Sequence, residues 1–195
     1  MKLQPSFYHR RNVTTIARDL LGKVLITSIK GQVSSGIIVE TEAYSWKERG
    51  CHAYNGRKTL RNEVMFDAGG KAYVYLCYGM HHLFNVVTNR EGIAEAVLVR
   101  AVEPLQGVEI MIERRGDVPV HQLTSGPGKL TRALGIDRSW NGKVLWNDDV
   151  WIEDIGKKVS ARQLDISKRI GIDYAGEDAN LLWRFSIRDN KWVSR

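Results

Sequence analysis

From Gly36 the chain runs apolar through Ile37-Ile38-Val39 and then alternates polar and apolar positions as Glu40-Thr41-Glu42-Ala43-Tyr44. The β-branched lead-in and the period of two predict a strand, with Glu40, Glu42 and Tyr44 on one face and Val39, Thr41 and Ala43 on the other. Similar patterning sets the remaining elements. Asn12 is placed to cap a helix over Val13–Leu21 that stops at Gly22. Lys23–Ile29 and Gln32–Thr41 predict a hairpin around Lys30-Gly31, and Ala72–Tyr78 with Leu83–Thr88 a second one turning at Gly79. Ala94–Val102 predicts a buried strand that ends near Arg100 and Glu103, after which Pro104 starts a helix running to about Arg115, with Gly116 beyond. Ser125-Gly126-Pro127 opens a short helix through Leu134 that Gly135 stops, and short strands around Val150–Glu153 and Leu182–Ile187 close the chain. Strands and helices do not alternate as βαβ units. The expectation is an α+β fold: one compact mixed domain over residues 1–195, with a mainly antiparallel, curved β-sheet flanked by short helices.

Composition narrows this picture. A chain of 195 residues with 43% hydrophobic content can bury one good core, and it contains no repeat or low-complexity linker. No run approaches the roughly 20 apolar residues of a membrane span. Met1-Lys2-Leu3-Gln4-Pro5 lacks the apolar segment of a signal peptide, so the expected compartment is the cytoplasm. Cys51 and Cys77 have no CxxC neighbour, which argues against a disulfide scaffold and against a zinc site. A net charge of +7 points to an anionic partner, nucleic acid first.

Two segments carry candidate chemistry. A dry face holding Glu40, Glu42 and Tyr44 makes a poor core and a good acid/base site, because carboxylates two positions apart on a strand sit roughly 7 Å from one another. The plainer alternative is a solvated strand face. The second segment is Tyr73-Val74-Tyr75-Leu76-Cys77-Tyr78-Gly79-Met80-His81-His82, where Tyr78 and Met80 fall at a hairpin tip. Apolar groups displayed on a turn of a basic protein suit wedging between base steps, and nearby aromatics suit stacking on an expelled base. Tyr73 and Tyr75 could equally be core residues.

Together the blocks ARDLLGK at 17–23, IVETEAY at 38–44, GRKTLRN at 56–62, MF at 65–66, YVYLCYGMHHLFN at 73–85, VLVRAVEP at 97–104, SGPGKL at 125–130, RIGI at 169–172, AGE at 175–177 and RF at 184–185 resemble the alkyladenine (3-methyladenine, or methylpurine) DNA glycosylase family over nearly the whole chain. The resemblance implies a base-excision-repair enzyme that flips an alkylated or deaminated purine from double-stranded DNA and hydrolyses its N-glycosidic bond. It implies no cofactor, no metal, no membrane, a monomer, and a nucleoid-associated bacterial setting, or a nuclear one in a eukaryote. It matches Glu42 to the general base that activates water, and Arg100 to the arginine that helps hold that water. It matches Tyr44, His52, Tyr75 and Asn85 to the base pocket, with Asn85 crowding the 2-amino group of guanine. Tyr78 corresponds to the intercalating tyrosine, with Met80 beside it. His81, where some members carry tyrosine, and Cys51, where small residues are usual, depart from the pattern and bear on wedge shape and substrate range.

The chemistry of the residues agrees with these roles. Glycosidic cleavage passes through an oxocarbenium-like sugar, which a nearby carboxylate stabilises while taking a proton from water. Arg57, Lys58, Arg61, Lys129, Lys168 and Arg169 are expected along the DNA backbone. No lysine occupies an obvious Schiff-base position, so hydrolysis without strand cleavage is the simpler expectation. Two rivals remain: a nucleic-acid-binding module in which Glu42 is inert, and a metal-dependent hydrolase built on Glu40, Glu42 and His52, whose spacing fits no common metal motif. Glu40 has no role assigned by sequence.

Overall fold

In the computed structural model, which describes residues 1–194, the first hairpin pairs β1 (Val24–Ile29) with β2 (Gln32–Ser45). Lys30 and Gly31 both take positive φ, 51° and 80°, giving the two-residue turn whose twist matches that of its strands. β2 is long enough to have two neighbours on one edge. Its first half pairs with β1 and its second half with β8 (Arg184–Ile187), while β5 (Glu95–Gln106) runs along its other edge. Outward from β5 lie β4 (His81–Val87) and β3 (Ala72–Cys77). β6 (Val150–Glu153) flanks β1, and β7 (Leu164–Ser167) pairs with β8. Every pairing is antiparallel, as the absence of βαβ alternation implied.

Short helices cover the sheet. α1 (Pro5–Tyr8) precedes α2 (Val13–Leu20), which starts where the Asn12 side chain accepts from the Thr15 backbone N–H at 3.0 Å. α3 (Val108–Arg115) and α4 (Pro127–Leu134) pack on each other beside β4 and β5. Ile16, Ala17 and Leu20 of α2, with Leu130, Ala133 and Leu134 of α4, bury against Ile38, Ala43, Phe84, Val97 and Val99. A smaller cluster of Cys51, Ala53, Met65, Tyr73 and Ala96 supports the opposite side. Among the described residues no helix is long and apolar enough to cross a membrane.

The central strand pair is irregular where the acids sit. Ile38 faces Val102 and Glu40 faces Ala101, so Val39 is an extra residue on β2; Thr41 then faces Val99, which makes Arg100 an extra residue on β5. The first bulge corrects the expected alternation. Val39 packs with Ile37, Ala101 and Trp192, away from the cluster that holds Ile38 and Ala43. Glu40 therefore starts a fresh alternation, and Glu40, Glu42 and Tyr44 share a face with the displaced Arg100.

Several boundaries differ from expectation. Pro104 does not start a helix: β5 continues through it to Gln106, and Pro104 faces Gly36 next to a register shift, a bulge being one of the places where a strand tolerates proline. α3 begins only after Gly107, whose φ of 70° reverses the chain. β2 extends past Thr41 to Ser45, because β5 and β8 continue to offer it partners. The final strand contracts to Arg184–Ile187, and α1 and β7 were not foreseen. Each is only four residues long, too short to show a period.

Candidate active site

A cleft of about 850 Å³ opens on the face of the sheet that carries Glu42 and Arg100, between the β3–β4 hairpin, the start of α4 and the 170–174 segment. Tyr44, His52, Tyr75, Asn85 and Arg100, separated widely in sequence, all line it. Glu42 is fully buried beside it. Its Oε2 accepts from the Tyr44 hydroxyl at 2.7 Å, and its Oε1 accepts from the Ile170 backbone N–H at 2.8 Å and lies 3.3 Å from Arg100 Nη1. A carboxylate offers about four lone-pair sites, so two hydrogen bonds and the Arg100 ion pair leave room for a further donor such as water. Burial first, and then the Glu42 charge, push the Tyr44 phenol well above its ordinary range, so Tyr44 stays a donor. Burial opposes the charge on Arg100, but Glu42 and Glu40 outweigh it and raise the guanidinium above its usual value.

One wall of the pocket is aromatic. His52 meets Tyr75 edge-to-face at 4.7 Å, and its Nδ1 lies 2.9 Å from the Tyr73 hydroxyl. Burial, reinforced by the Arg61 charge, lowers the His52 pKa from 6.5 to about 4, so the ring is neutral near pH 7. The loop that presents His52 is tied by Asn62, whose side-chain amide donates to the carbonyls of His52 and Arg57, both at 2.9 Å. Asn85, on β4, donates its amide to the Tyr73 carbonyl at 3.1 Å, which fixes the side chain at the pocket wall. Tyr73 itself is buried, with burial raising its phenol pKa, and belongs to the supporting cluster.

Tyr78, Gly79 and Met80 form the loop between Cys77 and its partner His81. Tyr78 takes a φ of 50°, a conformation few bulky residues adopt, and stands 84% exposed, with Met80 73% exposed. A strained, exposed tyrosine beside a cleft is a feature of function more than of packing.

The expected backbone-contact residues separate. Arg57, Lys58 and Arg61 are exposed on the loop after His52, with Arg61 over the Tyr75 ring at 5.1 Å. Lys129 lies where the cleft meets a second groove of about 630 Å³ that carries Arg114, Arg115 and Arg132. Lys168 is exposed and donates to Asn180. Arg169 is the exception. It is buried, forks onto both oxygens of Glu48 at 2.8 and 2.7 Å, donates to the Ala43 carbonyl, and lies over the rings of Tyr44 and Trp183. A guanidinium committed in this way has no face left for phosphate, so Arg169 is removed from the DNA-backbone set.

Residue-level reading missed Glu48, Arg184, Ser194 and the Ile170 N–H. Their partners lie between 121 and 154 positions away, beyond any local pattern. Arg184 fell within a matched block, but nothing there pointed to Glu40. Among the described residues, no three His, Cys, Asp or Glu side chains converge as a metal-ligand group. Glu40 is instead enclosed by arginines.

Residues 6–191 match the family model described as methylpurine-DNA glycosylase. The chain belongs to the methylpurine-DNA glycosylase family. Similar proteins include one from Chlamydia pneumoniae, 50% identical over 95% of this chain and 94% of its own length. One from Alkaliphilus oremlandii is 44% identical over the whole of both chains, and one from Clostridium acetobutylicum is 46% identical over 100% of this chain and 98% of its own. Each carries the name "Putative 3-methyladenine DNA glycosylase". Membership in the methylpurine-DNA glycosylase family makes this protein a DNA repair enzyme, a hydrolase of N-glycosyl bonds acting on DNA.

Proposed function

We propose that the protein releases alkylated or deaminated purines from double-stranded DNA by flipping the nucleotide into the cleft and hydrolysing its glycosidic bond with water activated by Glu42. The observation that carries this reading is the fully buried Glu42 carboxylate beside the cleft, oriented by two hydrogen-bond donors and the Arg100 ion pair, with room left for a water. Placed near C1′, its charge stabilises the oxocarbenium-like sugar and its free lone pair takes the water proton. Arg100 lies beside the carboxylate and offers N–H groups to the same water.

A purine alkylated at N3 or N7 leaves as a neutral base, so little acid catalysis is required. The electron-rich faces of Tyr44 and Tyr75 favour the cationic base by roughly 0.5–2 kcal/mol each. Neutral His52 avoids repelling it. That preference is too small to exclude guanine by itself, and steric crowding by Asn85 supplies the remainder. Tyr78 fills the gap left in the base stack. The product is an abasic site in an intact strand.

Duplexes bearing 3-methyladenine, 7-methylguanine, hypoxanthine or ethenoadenine test the reading when released bases and nicked strands are counted with and without a chelator. Base release that is chelator-insensitive and leaves strands intact is expected. Strand scission, or binding of these duplexes with no release, would contradict it.

A further inference from the structure

Glu40 is a fully buried acid that the proposed chemistry does not use. Its Oε1 accepts from Arg100 Nε at 3.1 Å, Arg184 Nε at 2.6 Å and the Ser194 hydroxyl at 2.9 Å, and its Oε2 accepts from the Ser194 backbone N–H at 2.8 Å. Arg184 also donates to the Ser194 carbonyl at 3.1 Å, so the chain near residue 194 is clasped between the acid and the arginine. These bonds hold Glu40 from several sides at once.

The consequence falls on Arg100. A guanidinium facing one carboxylate prefers the two-pronged fork, which is the tightest geometry available to it. Here the fork is divided. Nε engages Glu40, Nη1 reaches Glu42 at 3.3 Å, and Nη2 points to the Ser194 hydroxyl at 3.4 Å. The bulge on β5 makes this possible, because its extra residue is Arg100 itself, set beside the face that Glu40 and Glu42 share.

We infer that Glu40, anchored by Arg184 and Ser194, is a positioning residue that draws Arg100 onto itself and so prevents it from closing as a fork on Glu42. This role rests on Glu42 being the general base. With only one Arg100 nitrogen on it, Glu42 keeps a lone pair for water. Without Glu40, Arg100 pivots, both of its prongs settle on Glu42, and the carboxylate loses its place for the water proton. Glu40 thus acts on the reaction through Arg100 and touches no reacting atom.

The test is a double-mutant cycle read by single-turnover base release, with lesion-duplex affinity measured in parallel. Glu40→Gln should slow release on the order of 10²-fold, the scale of a catalytic group displaced by about an ångström, while affinity stays near the native value. If Glu40 works through Arg100, Glu40→Gln adds no further loss in an Arg100→Gln background. Losses that multiply across the cycle, or a fall in lesion-duplex affinity as large as the fall in release, overturn the role. Should Glu40→Gln fail to fold, Ser194→Ala removes one anchor of Glu40 and is read through the same cycle. Loss of all release in Glu42→Gln alongside multiplying losses would sink this inference alone, whereas an active Glu42→Gln would sink the general-base reading first.

Discussion

Ile170 donates its backbone N–H to Glu42 Oε1 at 2.8 Å across 128 positions of sequence. The bond depends on how the chain is pinned one residue earlier. Arg169 is buried in a forked ion pair with Glu48, donates to the Ala43 carbonyl next to Glu42, and stacks over Tyr44 and Trp183. The same side chain thus fixes both ends of the Ile170–Glu42 contact.

Removing half of that pair leaves a buried charge without compensation. Arg169→Met should destabilise the protein by about 3–5 kcal/mol, the usual cost of breaking a buried ion pair. Urea unfolding of the variant and the native protein measures this directly. A loss under about 1 kcal/mol, the scale of a surface pair, would show that Arg169 is not structural.

The acid side of the stability curve should carry the mark of His52. Folding lowers its pKa from 6.5 to about 4, so the unfolded chain binds more protons between those values. This contribution is present above pH 6.5, declines as the pH falls, and is lost by about pH 4. In His52→Gln the urea midpoint should therefore fall less between pH 7 and pH 4 than in the native protein. Parallel curves for the two proteins would place the titration elsewhere.

Much of this arrangement was legible in the sequence. The alternation at 40–44 located the acid face, the turn at Gly79 located the exposed tip, and Asn12, Gly31 and Gly135 marked element ends through local backbone chemistry. What sequence could not show was long-range. The bulges at Val39 and Arg100 are register events between two strands, and neither residue announces an insertion by type. Arg169 read as a surface cation because Arg-Ile-Gly-Ile at 169–172 gives no sign of Glu48, and Pro104 read as a helix start because an isolated proline does not reveal the strand beside it.

Tyr78 and the basic residues should separate cleanly. Refilling the stack with Tyr78 offsets an unstacking cost of about a few kcal/mol, so Tyr78→Ala should weaken lesion binding and slow excision, least where the target base is already unpaired. Its salt slope should be unchanged. Arg57→Ala, Lys58→Ala or Lys129→Ala should each flatten that slope by about one unit where the side chain neutralises a phosphate. Native excision by Tyr78→Ala on paired duplex would shift the wedge to Met80 or His81.

Asn85 is held against the Tyr73 carbonyl at 3.1 Å and cannot easily swing clear of an incoming base. Shortening it to Ser or Ala removes one steric contact, worth about 1–3 kcal/mol, and should raise release of undamaged guanine above the native background. Guanine release that stays at background would assign exclusion to other groups.

Glu42→Gln is the most direct measurement of all. The amide preserves shape and burial but cannot accept the water proton, so single-turnover base release should fall by at least the 10²–10⁴-fold that is roughly the worth of a general base, with lesion-duplex affinity held within about tenfold. Release at the native rate by a folded, DNA-binding Glu42→Gln protein would contradict the account and move the base to another group.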